Sequence, residues 1–156
     1  MQIHSLGFDD TFQEKYSLIG IHTSLEDYKL AYLLNKHLNV KFTKSIKDLS
    51  FENEKKNAQF SYYNFLNETL NFECYLIVNS SKKEENIKSN GQLFSTEVKT
   101  YLIPEKKKID FFIKITGEVE DVFLNEMIRQ ISKISQIITS YQVDYNNLKS
   151  KDFLIF

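Results

Sequence analysis

The chain has 156 residues, a formal net charge of −1 and a hydrophobic content of 42%, so we expect one domain over residues 1–156. The near-neutral charge and the single arginine, Arg129, argue against a nucleic-acid partner, and the absence of a long apolar run argues against a membrane partner. The lone Cys74 excludes an intrachain disulfide, and with an N-terminus unlike a signal peptide it predicts a cytoplasmic protein.

The first regular elements predict a strand followed by a helix. Residues 16–23, YSLIGIHT, are apolar and rich in β-branched side chains, as buried strands are. Leucines then recur at helical spacing over residues 24–38. A capping-box pattern at the start of this helix predicts that Ser24 or Thr23 serves as its N-cap.

The middle of the chain predicts one hairpin between polar loops. Residues 40–46 predict a short strand, and the charged residues 47–57 predict a loop. Residues 59–67 and 70–81 predict two strands joined by a short turn. The polar residues 82–92 predict a mobile surface loop.

A second hairpin is predicted around the only proline of the chain. Residues 98–103 and 109–115 would form its strands, because Pro104 favours a bend and cannot donate to a ladder. Lysines 106–108 would then lie exposed at its tip. Alternate apolar residues from Ile109 to Ile115 would share one face of the second strand.

The last third of the chain predicts a helix, a strand and an apolar tail. Acidic residues at 118–121 suit a helix N-terminus, and apolar residues follow at three- and four-residue steps as far as Ile134. Alternate residues from Ile137 to Tyr145 predict a strand with one common face. Residues 153–156 are apolar, and we expect them to cover the protein's own core rather than dock on another chain.

This order of elements predicts an α+β fold. Strands outnumber helices and several follow one another directly, which favours a mostly antiparallel sheet with two main helices packed on one face. Because each helix leads to a strand after a short gap, a ferredoxin-like split βαβ arrangement is compatible with the order.

Residues 103–111 resemble the signature of the IPExxxVDY family, an uncharacterised family of bacterial proteins. The matches are Ile103, Pro104, Glu105 and Asp110, with Ile109 in place of Val and Phe111 in place of Tyr. The stretches YSLIGIHTSLEDYKLAYLLN and LKSKDFLIF also resemble that family. The resemblance implies no activity, and Phe111 lacks the phenolic hydroxyl that a tyrosine would offer. As chemistry, Glu105 and Asp110 would be a carboxylate pair; we favour a structural role, in which Asp110 caps the turn and Glu105 pairs with a lysine.

The weak catalytic candidates are His22, Glu26 and Asp27. A histidine at a strand end, with carboxylates one turn into the next helix, has the composition of a general base and its orienting group. The simpler interpretation is an ordinary loop or core histidine beside helix-capping acids. Cys74 lies in mid-strand, where a buried thiol has a raised pKa and is not a nucleophile.

No cofactor or metal is expected. His4, His22 and His37 are scattered, and no metal-ligand spacing or glycine-rich phosphate loop occurs. The absences favour a non-enzymatic binding or protein-interaction module with a protein partner or a homodimer, in which exposed aromatics such as Tyr62, Tyr63 and Phe65 would serve an interface unless they pack in the core. The alternative is a small enzyme or ligand sensor with a site around His22; RNA binding is disfavoured by the charge.

Overall fold

The computed structural model describes residues 15–53 and 56–156, which form ten strands and two α-helices. The bounds, in chain order, are β1 Tyr16–Thr23, α1 Asp27–Leu38, β2 Thr43–Lys44, β3 Leu49–Asn53, β4 Lys56–Phe60, β5 Tyr62–Asn67, β6 Phe72–Val78, β7 Ser80–Ser89, β8 Gln92–Tyr101, β9 Phe111–Thr116, α2 Asp121–Ser132 and β10 Ile137–Val143. Short 3-10 helices span Pro104–Lys106, Tyr145–Asn147 and Lys151–Leu154. No helix in these ranges is long and apolar enough to cross a membrane.

The main sheet has the strand order β10-β1-β9-β6-β5-β2, and all its strand pairs are antiparallel. Helix α1 follows β1 and precedes β6, with β9 lying between those two strands; α2 connects β9 to β10, with β1 between them. Helix α2 therefore spans one intervening strand, as in the split βαβ arrangement, whereas α1 leads first to β2 at the edge of the sheet. The prediction of an α+β fold with a mostly antiparallel sheet is confirmed.

Apolar residues cover both faces of this sheet. On the helix-side face, Ile19, Ile21 and Ile113 pack with buried residues of both helices, such as Leu30 and Leu124. The prediction that both helices pack on one face is confirmed. The opposite face, here called the tail-side face, packs against the segments around the Pro104–Lys106 and C-terminal 3-10 helices; its buried residues include Leu18, Phe112, Leu102, Ile103 and Leu154.

Glycine at position 20 permits the close approach of one of these segments. A Cβ at Gly20 would lie 2.9 Å from Cδ1 of Ile109. Ile109 belongs to the tail-side cluster, whereas Phe111, Ile113 and Ile115 belong to the helix-side cluster. The prediction that Ile109 shares a face with these three residues is wrong, because β9 begins only at Phe111.

Two polar stretches and one predicted hairpin fold differently from the prediction. Residues 47–57, expected as a loop, contain β3 and the first two residues of β4, and these two strands pair with each other. Residues 82–92, also expected as a loop, contain most of β7. The hairpin expected between residues 98–103 and 109–115 does not form, because β8 pairs with β7 while β9 pairs with β1 and β6. Strands β7 and β8 are exposed on both faces over residues 82–99, so they lack the apolar alternation that identifies a half-buried strand.

Two local predictions are also wrong. Helix α1 has Glu26 at its N-cap with no side-chain cap bond, so neither Ser24 nor Thr23 caps it as the capping-box pattern predicts. In β10, Ile137 packs in the helix-side cluster and Val143 in the tail-side cluster. A register shift opposite His22 and Thr23 breaks the alternation along β10.

Candidate functional site

The three catalytic candidates do not form one site. His22 Nε2 lies 2.9 Å from the hydroxyl oxygen of Tyr141, within hydrogen-bond distance and on the neighbouring strand β10. Glu26 and Asp27 instead line a separate cleft, and Asp27 accepts a hydrogen bond from the Tyr63 hydroxyl at 3.2 Å. Since His22 is absent from the lining of that cleft, the predicted pairing of a histidine base with these carboxylates is not observed.

The cleft beside the start of α1 has a volume of about 640 Å³. It lies where β1 and β6 end and β9 begins, and the β3–β4 hairpin and the start of β7 border it. Its charged lining residues are Glu26, Asp27, Asp48, Asp110 and Lys82. Four carboxylates and one ammonium group make the cleft acidic, so a cationic small molecule would suit it better than an anion.

Thr23 and Asp110, which both line this cleft, are held in place by hydrogen bonds. The backbone N–H of Thr23 donates to Oδ2 of Asp110 at 2.9 Å, and the Thr23 hydroxyl donates to the carbonyl oxygen of Gln136 at 2.8 Å. The Asp110 backbone N–H donates to the carbonyl of Ile21 at 3.0 Å. Asp110 therefore continues the pairing of β9 with β1 one residue before β9 begins, which is a structural role.

A buried asparagine organises residues 103–111, the segment around Pro104. Asn79 is fully buried between β6 and β7, and its side-chain Nδ2 donates to the carbonyls of Lys106 and Ile109 at 3.0 and 2.8 Å. Its Oδ1 accepts the backbone N–H of Ile103 at 2.8 Å. The chain bends around Pro104, so these backbone groups have no neighbouring strand with which to pair. The side chain of Asn79 forms hydrogen bonds with them instead. Sequence reasoning missed Asn79, because an Asn beside serines indicates a turn.

Glu105 holds the C-terminal segment against the rest of the protein. Its carboxylate accepts the backbone N–H of Ser150 at 2.7 Å and the Ser150 hydroxyl at 2.9 Å. Partial burial acts to raise the pKa of Glu105, but backbone and Ser150 hydrogen bonds outweigh it and the pKa is lowered. Glu105 and Asp110 thus bind different backbone segments. The carboxylate-pair interpretation receives no support from this geometry.

The other residues of the segment 103–111 contribute to the core or to a turn. Ile103 and Ile109 are buried in the tail-side cluster, Phe111 is buried on the helix side, and Pro104 begins a 3-10 helix. Lysines 106–108 are exposed, as expected, but they lie at the end of this 3-10 helix and in the turn after it instead of forming a hairpin tip. Residues 103–110, here called the clamp, therefore connect β6, β9 and the C-terminal segment through these contacts.

The C-terminal residues 153–156 contact the protein's own core, as the sequence predicts, but Ile155 and Phe156 stay 66% and 40% exposed, so only part of the predicted burial is observed. Leu154 is fully buried, and the Phe153 ring lies 4.8 Å from that of Phe51. The Phe156 ring covers the buried Lys114, whose Nζ lies 4.7 Å from the ring centroid; the Tyr16 ring lies 5.0 Å from the same nitrogen. Burial, followed by nearby negative charge, raises the pKa of Tyr16 to about 12.

The thiol of Cys74 is unreactive, and the three aromatic residues expected at an interface pack within the chain. Burial raises the pKa of Cys74 to about 12, as the sequence predicts, so its thiol stays protonated at neutral pH. Tyr63 is buried, the Tyr62 ring contacts Phe156, and the Phe65 ring contacts Phe42. These aromatics therefore contribute to packing inside the chain.

No group of His, Cys, Asp and Glu side chains with metal-binding geometry occurs within residues 15–53 and 56–156. His22 and His37 lie in different parts of the structure, and His4 lies outside the described residues.

The β7–β8 hairpin is the largest exposed element of the described chain. Each strand has ten residues, which corresponds to about 30 Å of extended chain, and residues 82–99 are exposed throughout. Ile87 lies opposite Phe94, and their exposed fractions are 48% and 49%; Leu93 is 64% exposed. The turn at its end has Asn90 and Gly91 with positive φ, which suits a two-residue hairpin loop. We call this element the ribbon.

Searches for similar proteins give no match: no family model, no curated protein and no solved structure is similar to this chain.

Proposed function

We propose that the protein is a non-enzymatic binding module that recognises another protein chain through the ribbon. The observation that carries this proposal is the exposure of the ribbon, whose apolar side chains Ile87, Leu93 and Phe94 lie in water. A two-stranded hairpin without further packing is marginally stable in water. A partner that covered it would remove apolar surface from solvent and satisfy its free backbone edge. The free buried Cys74 is compatible with a cytoplasmic location, which is part of the proposal. Membership in the IPExxxVDY family is likewise proposed, from residues 103–111 and the two further stretches that resemble the family.

Shortening the ribbon tests the interaction role. Lys82 and Lys99 lie opposite each other, so replacing residues 83–98 by Asn-Gly closes the hairpin there with a two-residue turn. The tagged wild type, this variant and a control with lysines 106–108 changed to serine would each be purified from cells of the source organism. We expect the control to retain the co-purifying proteins of the wild type and the shortened variant to lose them.

Circular dichroism must show that the shortened variant keeps its fold. The same co-purifying proteins on the folded variant would contradict the proposed function, since the interaction would then lie elsewhere on the chain.

The alternative function is a small enzyme or a ligand sensor, and the acidic cleft is the observation in its favour. A thermal-shift screen with small cationic amines tests it, with Glu26→Gln as the variant that reduces the charge of the cleft. Stabilisation of the wild type and a smaller shift for Glu26→Gln would support the alternative. His22→Ala should leave that shift unchanged, because His22 does not line the cleft.

A further inference from the structure

We propose that a second copy of this chain pairs with the ribbon, antiparallel along the free edge of β8, about a two-fold axis at Val98. The inference rests on the proposed interaction role and names its partner. In the described chain β8 pairs with β7 alone, so the backbone N–H and C=O groups of its other edge are open to a further strand.

The charges of the ribbon are arranged unfavourably in a single copy. Lys82 lies directly opposite Lys99, and Glu84 lies directly opposite Glu97, on the same face two residues further along. Like charges opposite each other destabilise a strand pair. One diagonal contact, between Lys82 Nζ and Glu97 Oε1 at 3.3 Å, relieves part of this repulsion. The face therefore carries a row of two lysines beside a row of two glutamates.

A two-fold axis at Val98 complements both rows. When Val98 lies opposite Val98 of the second copy, Glu97 lies opposite Lys99 of that copy and Lys99 opposite its Glu97. The two copies then form a four-stranded sheet. On one face of it, Glu84 and Glu97 of one copy are followed by Lys99 and Lys82 of the other. Thr96 meets Thr100 of the second copy on the other face, and threonine pairs are favourable across strands.

The neighbouring two-fold registers are worse. Moving the axis to residue 97 places Glu97 opposite Glu97, and moving it to residue 99 places Lys99 opposite Lys99. An axis at Thr96 avoids like charges but forms no charge pair in its place. The register at Val98 is thus the one of these four that provides two opposite-charge pairs. It also brings together two Val98 side chains, each 38% exposed in a single copy.

Charge reversal tests this arrangement with purified protein. Glu97→Lys would place lysines opposite each other between copies, and Lys99→Glu would place glutamates there. Within one chain each change replaces a like-charge pair by an opposite pair, with Glu84 or Lys82, so neither should unfold the ribbon. By sedimentation velocity we expect the wild type to be a dimer at high micromolar concentration and each variant to be a monomer.

Mixing the two variants gives the decisive result. The lysine introduced at position 97 of one chain then lies opposite the glutamate introduced at position 99 of the other, and the remaining pair is the native Lys99 with the native Glu97. We therefore expect a heterodimer from two monomeric proteins. Lys88→Glu is the matched control, because Lys88 is exposed on β7 and away from the paired edge, and it should remain a dimer. A wild type that stays monomeric, or single variants that remain dimeric, would overturn the proposal.

Cross-linking tests the register. Val98→Cys should form a disulfide-linked dimer on mild oxidation, whereas Thr96→Cys should not; the native Cys74 is buried and does not compete. The reverse result would place the axis at Thr96 and contradict the charge argument. If the purified chain is monomeric but co-purification with other proteins still depends on the ribbon, the proposed function stands and only the self-pairing fails.

Discussion

Replacing Asn79 by alanine should destabilise the protein more than any exposed polar substitution. The change removes three side-chain hydrogen bonds, to the carbonyls of Lys106 and Ile109 and from the N–H of Ile103. Leaving a buried polar group without a partner costs about 1–3 kcal/mol. Water can reach part of this segment once it relaxes, so we expect a loss of about 3–6 kcal/mol in the free energy of unfolding. For a chain of this size, that corresponds to a fall in Tm of roughly 6–20 °C.

The measurement is urea unfolding followed by far-UV circular dichroism, because the chain contains no tryptophan. Asn86→Ala is the matched control, since Asn86 is exposed on the ribbon. Asn79→Asp separates shape from hydrogen bonding: it keeps the size of the side chain but loses both donors and brings a carboxylate close to two carbonyl oxygens. We expect it to be at least as destabilised as Asn79→Ala. A loss below about 1 kcal/mol for Asn79→Ala, as for an ordinary surface change, would refute the role given to Asn79.

Three further predictions concern the residues around Pro104 and the C-terminal segment. Changing lysines 106–108 to serine should alter the free energy of unfolding by less than about 1 kcal/mol in urea titrations, because the side chains are exposed; a larger loss would mean that they are packed. Deleting residues 153–156 should cost about 3 kcal/mol or more at every protein concentration, since it removes the buried Leu154 and uncovers Lys114. A truncated chain of unchanged Tm would contradict this. Because the folded pKa of Glu105 is lowered, its contribution to stability is present above the unfolded pKa and is lost as the pH falls through the folded pKa. The difference in Tm between the wild type and Glu105→Gln should therefore shrink on acidification below about pH 4, and a difference independent of pH would contradict the assignment.

The elements with a clear apolar period could be predicted from the sequence. Strand β1 occupies the predicted residues 16–23, and the β5–β6 hairpin and helix α2 lie where the pattern places them. Each of these elements buries one face or both, so selection for a core leaves its period in the sequence. Burial of Leu154 was predictable for the same reason, whereas the exposure of Ile155 was not.

The ribbon and the clamp around Pro104 could not be predicted in this way. The strands of the ribbon are exposed on both faces, so their charged residues carry no period and resemble a loop. The bonds of Asn79 join groups that are far apart in the sequence, and nothing in its neighbourhood indicates them. The separation of His22 from Glu26 and Asp27 depends on the alternation of side chains at the end of β1, where the register with β10 shifts. A local pattern does not contain that information.

The strand order also determines when the sheet can be completed during synthesis. Strand β1, near the start of the chain, lies between β9 and β10, near its end. On the ribosome, Ile19 and Ile21 are therefore made long before Ile113, and the apolar strand must wait for its neighbours. Pairing between strands so distant in sequence is slow because a large loop must be closed first. A nascent chain stalled before residue 111 would expose both edges of β1, so we expect arrested chains of this length to bind chaperones or aggregate.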